Sequence, residues 1–146
     1  MGDIVFNVAK GRVNSYAALA GTGNAALILV PIETTGIEAD ATLQDYDTLG
    51  ALLAGASNEQ TTMGRKTITS ATVTVDDANN RNDADFADQT YTAASGNAIS
   101  AFLVCYDPDT TAGDDTAIIP LTKHDFVETP TGSDIVVGVN TFFRAS

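Results

Sequence analysis

Two stretches of the chain are apolar almost without interruption. Ala25 to Ile32 and Ala98 to Tyr106 are rich in branched and aromatic side chains, and Gly96-Asn97 and Asp107-Pro108 bound the second. Runs of this length without a polar face predict strands buried on both sides. Pro31, near the end of the first run, predicts an edge position or a strand terminus. Lys66 to Val75 is dense in Thr, Ile and Val, and its alternation changes phase between Ser70 and Ala71, which predicts a bulge or bend. Ala117 to Thr122 and Asp134 to Val139 read as two further strands, the latter with Ile135, Val137 and Val139 on one face. Thr141 to Ala145 closes the chain with Phe142-Phe143, a pair that needs a neighbour to cover it.

Helical signals are fewer. Val13 to Ala20 reads as a short helix ending at Gly21, with Gly23-Asn24 as a turn. Glu38 to Ala54 is the strongest helical segment, because Leu43, Tyr46, Leu49 and Leu53 recur at helical spacing and Gly55 follows as a stop. Asp40 and Asp45 lie toward the end where the helix dipole favours acids. Gly50 weakens that helix by roughly 1 kcal/mol relative to Ala. The expectation is a single domain over residues 1–146, mainly β, an antiparallel sandwich or barrel with one or two short helices.

Composition narrows the function classes. The chain has 146 residues, 44% hydrophobic and 18% charged, with nineteen acids against seven bases for a formal charge of −12. That balance repels phosphate backbones and anionic lipid, so no nucleic-acid partner and no membrane partner are expected. The longest apolar run is far too short to cross a bilayer as a helix, and the acidic Met1-Gly2-Asp3 start has no basic signal region, so synthesis in a cytoplasm is expected. One cysteine, Cys105, forms no intrachain disulfide and, inside Phe102 to Tyr106, reads as an inert buried thiol.

Candidate chemistry is sparse. The segment Asp76 to Asp88 alternates carboxylates and amides, which makes Asp77, Asn79, Asp83 and Asp85 weak candidates for a hard cation such as Ca²⁺. It lacks the central Gly and closing Glu of an EF-hand loop, so a solvated loop is the preferred reading and no metal or cofactor is expected. Asp107, Asp109, Asp114 and Asp115 surround Pro108 and Gly113 as turn formers. Lys123-His124-Asp125 holds the sole histidine, but neighbours on a strand point to opposite faces, and neither Ser100 nor Ser133 lies in a nucleophile elbow. No enzyme activity is expected. Gly21-Thr22-Gly23 superficially resembles a phosphate loop but lacks its remaining glycines and lysine. Lys10, Arg12, Arg65 and Lys66 concentrate the positive charge and are candidate docking points for an acidic surface.

Specific strings add a resemblance. Val8-Ala9-Lys10-Gly11-Arg12, Glu38 to Leu43 continuing through Asp45 to Leu49, Cys105 to Thr111, Ile119 to Thr122, His124-Asp125-Phe126 and Phe142-Phe143-Arg144-Ala145 span almost the whole chain. Together they resemble small virion structural proteins of tailed bacteriophages, and in size and acidity the capsid decoration, or cement, proteins. The resemblance implies a non-enzymatic protein that binds the outside of the capsid shell and stabilises it, with the major capsid protein as partner. It also implies a homo-oligomer, a trimer first. The shell-binding or intersubunit candidates are Ile4, Phe6, Val8, Lys10 and Arg12, on a segment 1–12 read as an extended attachment arm, and Phe142, Phe143 and Arg144 at the other end. A tail or head–tail connector component is the alternative within virions. A carbohydrate- or receptor-binding module is the alternative of another class, and low aromatic content without Trp argues against sugar stacking.

Overall fold

A computed structural model describes residues 2–146. The chain begins with a short strand, β1 (Ile4–Val5), a 3₁₀ turn over Asn7–Ala9 and helix α1 (Val13–Leu19). β2 (Ala26–Glu33) follows, then two short helices, α2 (Asp40–Leu43) and α3 (Leu49–Ala54). The rest is strands: β3 (Lys66–Ile68), β4 (Ala71–Asp76), β5 (Arg81–Phe86), β6 (Gln89–Tyr91), β7 (Ile99–Asp107), β8 (Ile119–Glu128), β9 (Ile135–Val137) and β10 (Phe143–Ala145). One antiparallel sheet runs β1-β8-β7-β2-β3, a second β10-β5-β4, and a third pairs β6 with β9. The fold is mainly antiparallel β with short helices, as expected, and the described residues form no closed barrel.

The continuous apolar runs become β2 and β7, two of the three inner strands of the large sheet. Side chains alternate across a strand, and here both faces are covered. Leu27 and Leu29 of β2, with Phe102, Val104 and Tyr106 of β7, face a core closed by α1 and the smaller sheets through Ala17, Ala84, Phe86, Tyr91 and Val137. Ile28, Val30 and Ile32, with Leu103 and Cys105, face a second core closed by Phe6, Leu43 of α2, and Leu49 and Leu52 of α3. A sheet with two dry faces has no polar alternation to display, which is why these strands read as unbroken apolar sequence.

The phase change at Ser70 marks a change of sheet. β3 pairs with β2 and β4 pairs with β5, with Thr69 and Ser70 between them. Pro31 lies near the end of β2, with a ladder partner on one side only. It pairs with Phe102 within the long β2–β7 ladder. On its other side β3 has already ended at Leu29, and the loop there asks Pro31 only for an acceptor, its carbonyl taking the Gln60 N–H at 2.9 Å. The missing proline N–H therefore costs no ladder bond.

Three expectations need correction. Glu38 to Ala54 is two helices separated at Gln44–Thr48. The Gln44 carbonyl, which a continuous helix would give to residue 48, accepts the Asn7 N–H at 2.8 Å, and Asn7 Nδ2 donates to Asp45 Oδ1 at 2.5 Å. Thr48 then restarts the helix as an N-cap, its hydroxyl accepting from Ala51 N. The acidic segment after Asp76 is a hairpin whose second strand is β5, not a solvated loop throughout. Residues 2–12 are no extended arm: β1 pairs with β8, and Phe6 and Ala9 are fully buried.

Candidate functional site

The expected attachment residues divide into buried and exposed sets. Phe6 is wholly enclosed in the core beneath α2 and α3, and Phe142 is 6% exposed, its ring 5.2 Å from that of Phe86. Both hold the body together, so neither presents a surface. Ile4, Val8 and Phe143 are half-buried and pack against the cores. Arg144 lies on β10, where its guanidinium donates to both Asp83 oxygens, at 2.7 and 3.0 Å. Lys10 and Arg12 stand exposed in the turn before α1, on either side of Gly11 at φ +76°.

The other basic residues are occupied. Arg65 forks between Glu59 and Asp115, with contacts of 2.6 to 3.0 Å, and so ties the loop before β3 to the turn before β8. Arg81 reaches Asp76 and Asp83. Lys66 lies over the Tyr91 ring at 4.9 Å. Lys123 is held by Asp40 and Asp125. Among the described residues, Lys10 and Arg12 are the cations with neither an acidic nor an aromatic partner. Of the four candidate docking bases, the fold leaves these two available and binds up Arg65 and Lys66.

Lys123-His124-Asp125 sits on β8 where β1 and β7 flank it. The chain does turn neighbours to opposite faces. Lys123 is 0% exposed beside Leu103 and Ile4, on the side of α2, and Nζ lies 2.9 Å from Asp40 Oδ1 and 2.5 Å from Asp125 Oδ1. His124 faces the other way, with Nε2 2.9 Å from Thr122 Oγ1 and Nδ1 3.1 Å from Asp3 Oδ2. Asp3 Oδ1 also accepts the Asp125 N–H. Partial burial alone would raise the Asp3 and Asp40 pKa values. Hydrogen bonds from the Asp125 amide and His124 at Asp3, and the Gly2 amide hydrogen bond with the adjacent Lys123 charge at Asp40, outweigh it and hold both below the ordinary value. His124 therefore joins the N-terminal segment to the sheet and meets neither Ser100, whose hydroxyl donates to Thr34, nor Cys105 on the opposite core face. Cys105 is fully buried and desolvation drives its thiol pKa upward, which leaves it without thiolate character.

The acidic clusters serve turns and ion pairs. Asp109 and Asp114 each accept from a backbone amide and a hydroxyl two residues on, from Thr111 and Thr116. Asp77 and Asn79 lie in the hairpin turn, whereas Asp83 and Asp85 lie on β5, with Asp83 bound to Arg144 and Arg81. Among the described residues no three His, Cys, Asp or Glu converge on a point suited to a metal ion. Between the large sheet and β9–β10 lies a groove of about 170 Å³, lined by Phe86, Phe102, Phe126 and Phe142 together with His124 and Asp125.

Sequence reasoning missed the partnership of Lys123 with Asp40. Nothing local signals a contact between residues so far apart, although a lysine at an inward register position of a strand demands a buried counter-charge. Comparisons of the chain with protein-family models, curated proteins and solved structures find no match.

Proposed function

We propose that the chain is a non-enzymatic capsid decoration protein that binds the outside of a phage shell as a homo-oligomer, a trimer first, and stabilises it. Beside the sequence resemblance, one observation carries this reading: the body is strongly acidic, and the two exposed cations with neither an acidic nor an aromatic partner sit together in the turn Lys10-Gly11-Arg12. Such a turn fits an acidic patch on the major capsid protein, while the rest of the surface repels neighbouring particles and DNA. A sheet covered on both faces supplies a stiff body, and repetition over a lattice turns weak single contacts into firm attachment.

Two measurements test it. Gel densitometry of purified virions is expected to find this chain in numbers comparable to the shell protein; one ring's worth would indicate a connector or tail component instead. The pair Lys10→Glu and Arg12→Glu is expected to abolish binding to empty shells without changing the melting temperature. Full binding by that variant would overturn the docking assignment.

A further inference from the structure

Among the described residues Lys123 is the largest fully enclosed polar side chain, and the fold supplies it with an unusual set of neighbours. Its strand partners Leu103 and Ile4 provide an apolar bed, and Ala101, opposite Asp125, adds no bulk that would separate the two side chains. Nζ is in hydrogen-bond range of two carboxylates from different layers, Asp40 at the start of α2 and Asp125 on β8. The Asp40 carboxyl is held from its far side as well, Oδ2 accepting the Gly2 amide at 2.9 Å. One amine, one carboxyl with a backbone donor on its second oxygen, and a second carboxylate touching the amine form the constellation that an amide condensation needs.

We propose that Lys123 Nζ and Asp40 Cγ condense to an intramolecular isopeptide bond, with Asp125 carrying the protons. Asp125 Oδ1 takes a proton from the ammonium, and the freed amine attacks Asp40 Cγ. The developing oxyanion keeps the hydrogen bond from the Gly2 amide. Asp125 passes its proton to a departing Asp40 oxygen, collects the second proton from nitrogen, and delivers that one too. The ammonium and carboxylate become an amide and one water, with no outside reagent and no change of oxidation state. One feature favours the product: the buried ammonium, costly to keep charged, is replaced by a neutral amide. The bond would join α2 covalently to the large sheet and close the layer over Phe6.

The test is the intact mass of the purified, denatured full-length chain, followed by tandem mass spectrometry of its peptides. The expected result is a mass lower by one water and a branched peptide linking Asp40 to Lys123. Asp125→Asn is expected to fold, by circular dichroism, yet keep its full mass. Asp40→Asn is expected to form the same link with loss of ammonia in place of water. A wild-type chain of full mass would overturn the proposal, as would a link from Lys123 to Asp125 or a cross-link that forms undiminished in Asp125→Asn.

Discussion

Phe142 lies near the C-terminus, where an attachment residue would be expected, and yet it is as buried as the central strands. The substitution Phe142→Ala separates the two roles. Burying a phenylalanine contributes up to about 3 kcal/mol by area, and the ring contact with Phe86 adds about 1 kcal/mol. Large-to-small core changes of this kind cost about 3–5 kcal/mol. Phe142 also lines the groove between the sheets, so water can partly refill the space it leaves, which puts the cost at about 3 kcal/mol. For a chain of this length that corresponds to a fall in melting temperature of about 9 °C. Phe143→Ala, at a half-buried position on the same strand, should cost less than about 1 kcal/mol. Urea titration followed by circular dichroism reads both. If Phe142→Ala melts within about 2 °C of the wild type, Phe142 is not a core residue and the assignment of β10 to the body is wrong.

Other consequences of the structure are equally measurable. Arg65→Leu should cost about 1 kcal/mol, because its ion pairs are only partly shielded from solvent. The Arg65 guanidinium holds the Asp115 carboxyl below its ordinary value, and Arg144 does the same for Asp83. A depressed carboxylate adds stability above the unfolded pKa of about 4 and loses it as pH falls through the folded value. Melting temperature should therefore drop below about pH 4, and Arg65→Leu should show a smaller drop; equal drops would remove Asp115 from the account. Cys105 should resist a thiol reagent in native buffer and react at once in urea, and prompt native labelling would contradict its burial. Gly21→Ala should be at least about 2 kcal/mol destabilising, since a methyl there meets Thr69 O at 2.2 Å and φ is +84°. Gly11→Ala, at φ +76° with open space around it, should cost about 1 kcal/mol, and calorimetry that failed to rank the two would refute the steric part.

What the sequence discloses is the two-sided burial of β2 and β7, because continuous apolar runs leave a strand no wet face. The break at Ser70 is legible from its phase change, but as a bulge or bend in one strand; that the chain there leaves one sheet for another depends on the partners of β3 and β4, which no local pattern contains. The split between α2 and α3 is harder to see. Leu43, Tyr46, Leu49 and Leu53 keep helical spacing across the break, and the competitor for the Gln44 carbonyl is Asn7, far away in sequence. Thr48 is the one local clue, a good N-cap lodged in what reads as helix interior. β5 hides because its outward positions, Asp83 and Asp85, look like loop. Only Ala84 and Phe86 mark the inward face, and the charges that make Asp83 tolerable come from Arg81 and Arg144. The expected arm fails at Phe6, whose burial depends on α2 and α3 and so on contacts that no local pattern contains.

The charge of −12 takes on a different meaning once the cations are placed. They do not gather into a basic face. Arg65 fastens a loop to a distant turn, Arg144 fastens the C-terminal strand to the β4–β5 hairpin, and Lys123 fastens the sheet to α2. Each works as an internal tie between elements remote in sequence, so most of the positive charge is consumed in holding the fold. The excess of acids over bases is thus concentrated further in what the surface shows to solvent. At physiological salt such a field reaches about 8 Å, enough to disfavour any approach that does not present Lys10 and Arg12 first. An exposed two-cation turn on an acidic body gives orientation more than strength, and in the proposed decoration role the strength would come from repetition over the shell lattice.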